Sequence, residues 1–214
     1  MTTVLAVDLG SASGRVLAGT LTDGRLDVTD IHRFKHEARR RQDGTLTWDV
    51  ATMEAETIIG LKKALEQFPD ARSVSIDTWG VDWAPLDENG DLVGDVIAYR
   101  DERTSRTLDA FRERIGDREF FDLTGNQPAT INTANQLFAY LQENPADAQR
   151  VAGVLFLPDY FVYRLTGAVG WSRTIASTSG LLTPGGGDFN DEVFARLGIP
   201  RGWFGELSAD RTVV

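Results

Sequence analysis

Asp8 stands at the end of the apolar run Val4-Leu5-Ala6-Val7, and Leu9-Gly10-Ser11-Ala12-Ser13-Gly14-Arg15 follows it. A buried strand that ends in a carboxylate delivers it to the strand's carboxyl end. Glycines in the turn beyond let backbone N–H groups converge on one concavity, which suits a phosphate oxygen. The Asp8 carboxylate suits Mg²⁺, directly or through water, because hard cations take oxygen ligands. The commoner phosphate loops are excluded, since the chain contains neither G-x-x-x-x-G-K-[ST] nor G-x-G-x-x-G. Taken alone, Asp-x-Gly between strands also describes an ordinary tight turn.

The elements that must hold this turn are strands on both sides. Arg15 to Leu21 is rich in β formers and runs into Asp23-Gly24, a hairpin signal. The pattern predicts strands over about 3–8, 14–21 and 26–35. It then predicts a helix capped by Asp49, with Val50, Met53, Thr57/Ile58, Leu61, Leu65 and Phe68 on one face before Pro69. Val74–Thr78 reads as a strand that Val81–Leu86 extends or pairs with, closing at the turn Asp87-Glu88-Asn89-Gly90. Further on, Leu108, Phe111 and Ile115 define a helix ending at Gly116 as its C′ residue. Ala134, Leu137, Tyr140 and Leu141 define another that stops at Asn144-Pro145. Val151–Leu157 reads as a buried strand, followed by a helix over Pro158–Leu165 with Gly167 beyond. Gly185-Gly186-Gly187 follows Pro184 without a preceding strand and reads as a surface turn, not a second phosphate loop. Three antiparallel strands, a helix, and then alternating strands and helices make an α/β fold with a mixed sheet flanked by helices. This is the order of the ribonuclease H-like or actin-like ATPase domain.

Composition narrows the function classes. The 214 residues suit one large domain or two small ones, and 42% apolar content supports a core. With no cysteine there is no disulfide scaffold, Fe–S cluster or thiolate zinc site. His32 and His36 lie four apart on a predicted strand without a third ligand nearby, so they are expected to be solvated or hydrogen-bonded. A net charge of −10 argues against nucleic acid as a partner. Arg39-Arg40-Arg41, flanked by Glu37 and Asp43, reads as a solvated loop. No apolar run approaches ~18 residues, and the chain enters a strand almost at once, so neither a membrane span nor a signal peptide is expected and the location is expected to be cytoplasmic.

Several segments in order resemble the FGGY carbohydrate kinases. They are Val7–Arg15, Ile31-His32-Arg33-Phe34, Thr47-Trp48-Asp49, Ile76-Asp77-Thr78-Trp79-Gly80-Val81-Asp82, Ala98-Tyr99-Arg100-Asp101 and Leu157–Gly167. The likeness runs from residue 4 to about 205. It implies that residues 1–214 form the N-terminal, sugar- and phosphate-binding domain of a two-domain kinase that moves the γ-phosphate of MgATP to a ketose hydroxyl. It implies that Ser11, Ala12, Ser13, Gly14 and Arg15 line the ATP phosphate loop, and that Asp8 lies near Mg²⁺ and the transferring group. Gly80 is placed against the sugar; a glycine in a strand pattern also marks close approach of ligand or chain. Trp79 and Trp83 would face a sugar or pack in the core, and Asp82 would accept from sugar hydroxyls. Arg100 and Asp101 would bind sugar oxygens or pair with each other, and Asp159-Tyr160 would start a helix.

Two departures stand out. Ile131-Asn132-Thr133 has Ile131 where the most similar members carry an aromatic residue, in a segment bordering the sugar site, so Asn132 is a sugar-side candidate while the sugar itself is open. The resemblance also implies a general-base aspartate, in a His-Asp segment beyond Val214. No catalytic base is therefore expected within this chain, and alone it is expected not to turn over. A non-catalytic sugar-binding module and an actin-like assembling protein are the readings from other classes. Monomer and homodimer both stay open.

Overall fold

The computed structural model describes residues 1–209 and 213–214. The chain divides into two units, Met1–Arg39 with Trp48–Trp79, and Arg40–Thr47 with Gly80–Val214.

In the first unit, β1 (Thr2–Leu9), β2 (Ser13–Thr22) and β3 (Arg25–Lys35) form a meander on the expected segments. Asp23 and Gly24 both take positive φ, 51° and 80°, which matches the right-handed twist of the flanking strands. Two short strands, β4 (Ala38–Arg40) and β5 (Leu46–Trp48), precede α1 (Val50–Gln67) and β6 (Val74–Thr78). The main sheet has the order β3-β2-β1-β6, with β6 parallel to β1 and the other pairs antiparallel. Leu5, Val7 and Leu9 alternate into the core with Val16 and Ala18 of β2. Asp49 caps α1 as expected, its carboxylate accepting the Thr52 N–H at 3.0 Å.

The buried stripe of α1 differs from the expected one. It runs through Val50, Met53, Thr57, Gly60 and Ala64, while Leu65 is 48% exposed. The helix approaches the sheet so closely that a Cβ at Gly60 would overlap the Val16 side chain. At that level the inward positions are the small Gly60 and Ala64, while Val50, Met53 and Thr57 fill the start of the stripe as expected.

The second unit opens with β7 (Trp83–Leu86) and β8 (Val96–Ile97). Helices α2 (Arg103–Arg106), α3 (Leu108–Arg114), α4 (Asp117–Thr124), α5 (Thr133–Glu143) and α6 (Pro145–Ala148) follow, then β9 (Gly153–Phe156) and α7 (Leu157–Thr166). Strand β10 (Trp171–Ser172), α8 (Arg173–Ala176), α9 (Asp191–Leu197), a 3₁₀ turn at Arg201–Trp203 and β11 (Leu207–Ser208) complete it. Phe111, Phe120, Leu137, Phe138, Phe156 and Phe194 belong to its core.

Three expectations are corrected here. Val81–Leu86 neither extends nor pairs with Val74–Thr78: β7 runs antiparallel to β9, Trp83 opposite Phe156. Both strands are almost wholly apolar, so a partner buried on both faces is favoured. Gly116 is not a left-handed terminator; its φ is −68° and it serves as the N-cap of α4, a helix the periodicity did not reveal. Arg39 and Arg40, expected in a solvated loop, lie instead in strand β4, whereas the following helix ends and turn stand as expected. Helix α5 stops at Asn144, and α7 ends at Gly167 in the left-handed region. Gly185–Gly187 is a turn whose Gly186 and Gly187 carbonyls accept from Arg173 at 2.7 and 2.9 Å.

Asp159 lies in the first turn of α7 and accepts the Ser172 N–H at 3.2 Å, tying the helix to β10. Burial pushes its carboxyl up to about 7, against the opposing effect of that hydrogen bond. A raised carboxyl pKa stabilises the fold fully below the ordinary value of 3.8, and this is lost as pH rises through about 7. Asp159→Asn keeps an acceptor without the titration. Its Tm relative to the parent should therefore climb between pH 5 and pH 8, and a constant difference across that range would show a solvated carboxyl.

Candidate functional site

In the first unit the sequence motif becomes one sheet end. Pairing sets Asp8 opposite Arg15 of β2 and, in parallel register, opposite Asp77 of β6. Arg15 closes onto Asp8, with Nε and Nη2 at 2.7 and 2.6 Å from the same oxygen, Oδ2. The loop between β1 and β2 is folded on itself by the Gly10 N–H donating to the Ser13 carbonyl at 2.9 Å. Ser11 and Ala12 are exposed at its crest, while Ser13 and Arg15 are half-buried. Gly14 lies under the ring of Phe34, where any Cβ would overlap that ring. A side chain larger than hydrogen is excluded there by packing.

Trp79 follows β6 at the same end. Its ring stands 4.6 Å from that of Trp48 and stacks on His36 at 6.1 Å and 22°. It is half-buried in this aromatic group. The expected phosphate-loop residues and Trp79 are thus brought together at the carboxyl ends of β1 and β6. Asp77, exposed beside Asp8, is a carboxylate that the motif reading did not single out.

The second unit holds the remaining sugar-side candidates, and most share one polar network. Arg103, 2% exposed, donates to the Ala98 carbonyl at 3.3 Å and to Gln136 Oε1 at 2.9 Å. Its main-chain N–H donates to Asp101, whose other oxygen accepts the Leu46 N–H at 2.8 Å. Burial holds the Arg103 guanidinium down to about 10, with Asp101 and Asp82 opposing that fall. Gln136 and Thr133 both donate to the Val81 carbonyl, at 2.9 and 2.8 Å, which fixes the bend that carries Gly80 and Asp82. Asn132 accepts the Ala129 N–H at 2.8 Å and donates to the Thr178 carbonyl at 3.2 Å. A Cβ at Gly80 would come within 3.0 Å of Thr178 Oγ1, so the close approach here is by the chain itself.

Gly80, Asp82, Asp101 and Asn132 are therefore joined through Arg103, Gln136 and Thr178. Asp82 is fully buried. Arg100 and Asp101 do not pair with each other: Arg100 is exposed and donates to the Tyr99 hydroxyl at 2.8 Å. Trp83, 3% exposed and edge-on to Tyr140, is core. A shallow cavity of about 420 Å³ opens beside the network, lined by Asn126, Arg173, Thr174, Ser177 and Thr183 among others. Arg103 and Gln136 were missed by sequence reasoning. The only local signal was the Asp101-x-Arg103 spacing; the rest depends on contacts 33 to 55 residues apart.

The donor set bears on a metal ion. Asp8 keeps one carboxylate oxygen clear of Arg15, and among the described residues no group of three or more His, Cys, Asp or Glu side chains is placed to hold a metal. Such a site fits a hydrated Mg²⁺ carried by a nucleotide's phosphates rather than an ion caged by protein.

Solved structures with the same architecture are sugar and polyol kinases. The chain matches xylulose kinase from Rhodospirillum rubrum with a TM-score of 0.84 at 19% identity, over 96% of this chain and 42% of that one. It matches gluconate kinase from Lactobacillus acidophilus with a TM-score of 0.82 at 14% identity, over 97% of this chain and 42% of that one. These likenesses establish an actin-like ATPase fold, a mixed sheet with flanking helices. Residues 3–213 match the N-terminal domain of the FGGY family of carbohydrate kinases, and the chain belongs to that family. It is 37% identical over 206 residues to rhamnulokinase from Mannheimia succiniciproducens, covering 95% of this chain and 42% of that protein. The chain thus spans less than half the length of the curated relative it matches. No helix among the described residues is long and apolar enough to cross a membrane.

The Arg103 network yields a stability test. Arg103→Met removes the cation from between two buried carboxylates, and breaking a buried pair costs on the order of 3–5 kcal/mol. Urea unfolding should show a loss of about 3 kcal/mol, partly restored by adding Asp101→Asn. A loss below ~1 kcal/mol, the scale of an exposed pair, would show the network to be solvated.

Proposed function

We propose that this chain is the N-terminal, sugar- and phosphate-binding domain of an ATP-dependent ketose kinase, and that the substrate is L-rhamnulose, giving L-rhamnulose 1-phosphate. The observation that carries the reading is the exposed Gly10–Ser13 turn beside the Asp8–Arg15 pair, in a chain matched almost end to end by the family's N-terminal domain. The 37% identity to a rhamnulokinase supports the choice of sugar.

In this reading the phosphates of ATP rest on Ser11, Ala12, Ser13 and Gly14. Arg15 supplies the cation beside them, and Asp8 accepts from waters of the nucleotide's Mg²⁺. Bound magnesium would spread the charge that builds on the transferring phosphoryl group. The protein's share of such chemistry is positioning and charge stabilisation. The sugar-side residues in this reading are Trp79 of the first unit and, in the second, Gly80, Asp82, Arg100, Asp101 and Asn132. Because Asp82 and Asp101 are buried, they act by fixing the bend at Gly80–Asp82 unless the site opens. The general base and the adenosine-binding domain are assigned to the protein outside these 214 residues. Closure of the two halves excludes water from the transfer.

A second reading within the family is a kinase of another sugar: fuculose, xylulose or gluconate. It is favoured by Ile131, 43% exposed, standing where an aromatic residue is usual.

ADP release decides among these. The full-length protein should turn over L-rhamnulose with MgATP at about 1 s⁻¹ or faster, with kcat/KM at least ~10-fold above L-fuculose, D-xylulose and D-gluconate, while the 214-residue chain alone gives no sugar-dependent rate. A different preferred sugar moves the assignment within the family, and no release with any sugar would leave a non-catalytic module.

A further inference from the structure

His36 was expected to be solvated or hydrogen-bonded; its ring is packed among aromatic rings beside the backbone of Gly10 and Ser13. It follows directly after β3, and its main-chain N–H donates to the Ala12 carbonyl at 3.3 Å, at the crest of the β1–β2 loop. Its ring is held by three others: stacked on Trp79, edge-on to Trp48 at 6.0 Å, and 6.0 Å from Phe34. Both ring nitrogens are buried, and neither has a hydrogen-bond partner of good geometry among the described residues. The backbone at Gly10 and Ser13 nevertheless lies close enough to favour the protonated ring, against the larger effect of burial, which lowers its pKa. His32 has no such freedom, since its Nε2 meets Glu56 at 2.6 Å and its Nδ1 meets Lys63 at 3.1 Å.

A buried donor without a partner costs roughly 1–3 kcal/mol, so its persistence needs a reason. The nearest acceptors in this region belong to the loop itself. In a planar trans peptide the C=O and the following N–H point in opposite directions. A Gly10 carbonyl drawn toward the His36 ring would turn the Ser11 N–H the other way, toward the exposed crest. That is the orientation in which a backbone N–H meets an anion.

We infer that His36 is a positioning residue of the phosphate site, its imidazole N–H engaging the Gly10 carbonyl when a nucleotide phosphate binds and so holding the Ser11 N–H toward that phosphate. The inference rests on the nucleotide-binding reading of the Gly10–Arg15 loop. The aromatic walls act in it as a clamp that holds the ring beside the Gly10 and Ser13 backbone. The neutral ring that burial favours carries the single N–H this role needs.

The test uses three variants of the full-length protein. His36→Phe keeps the stacked ring and removes the donor, His36→Gln keeps an N–H donor on a flexible chain, and His36→Ala removes both. Calorimetric Kd for MgADP and KM for MgATP should rise about fivefold to tenfold in His36→Phe, the weight of one hydrogen bond. KM for the sugar should stay within about twofold, and His36→Gln should recover most of the nucleotide affinity. His36→Ala, with less to hold the loop, should be weaker still or lose thermal stability; the Phe and Gln variants, which retain bulk, then carry the comparison. Nucleotide affinity in His36→Phe equal to that of the parent would overturn the inference and leave His36 a packing residue. Parent protein that binds neither MgADP nor MgATP would instead overturn the phosphate-loop reading itself, and the inference with it.

Discussion

The parallel pairing of β1 with β6 is the constraint on which the first unit depends. Strand β1 is bonded on both sides, antiparallel to β2 and parallel to β6, and the registers align Arg15, Asp8 and Asp77 in one row. A slip of one residue in either ladder would turn Asp8 into the core and Val7 outward. Because β6 runs parallel to β1, both strands end at the same edge of the sheet. The turn after β1 and the Trp79 segment after β6 therefore start side by side although about 70 residues separate them. Carboxyl ends of neighbouring parallel strands are where open α/β sheets place their ligands.

The second unit solves a different problem. Its bend at Gly80–Asp82 has no regular ladder to hold it, so side chains supply the bonds. Gln136 and Thr133 both grip the Val81 carbonyl from the start of α5, and the Leu157 N–H takes the Asp82 carbonyl at 2.9 Å. Arg103 steadies Gln136 and lies between buried carboxylates. Hydrogen-bonded side chains dictate the path of an irregular backbone where an apolar substitute would not, even though Arg103 Nε has no partner among the described residues. The near-total burial of α5 from Thr133 to Tyr140 follows from this double duty: one face packs on the aromatic core and the other carries the network.

What the sequence made legible was local. Alternation in β1 and β2, the Asp23-Gly24 turn, the Asp49 cap and the Gly167 stop are each set within a few residues, and all stand where the chain predicts them. Partner choice was not legible. Whether Trp83–Leu86 pairs with Val74–Thr78 or with Gly153–Phe156 depends on which apolar surface is left to cover, which no window of residues contains. The inward face of α1 was misjudged for a related reason. Hydrophobic periodicity favours Leu61 and Leu65, but close packing on Val16 admits nothing larger than Gly60 at the contact, and Ala64 is buried in place of Leu65. At the site, the Asp8–Gly14 loop was readable from types and spacing, whereas Arg103 and the setting of His36 arise from segments that meet only in three dimensions.

The candidate residues of the two units differ in how they are bonded and exposed, and the difference separates scaffold from working surface. In the second unit Asn132, Gln136 and Asp101 each make two or more hydrogen bonds within the protein. They leave little for a ligand, and their contribution is to hold a surface in place. In the first unit Ser11 and Ala12 stand exposed on a loop closed by one internal bond, and Arg15 beside it meets Asp8 through a single oxygen. His36 sits beneath, its ring nitrogens buried beside the Gly10 and Ser13 backbone. Buried side-chain atoms without a partner among the described residues occur in both units, at Trp83 Nε1, Arg103 Nε and Tyr140 Oη as well as at His36, so the glycine turn is set apart by its exposed backbone. On that ground the loop, rather than the buried carboxylates, is where binding energy is most able to change the structure.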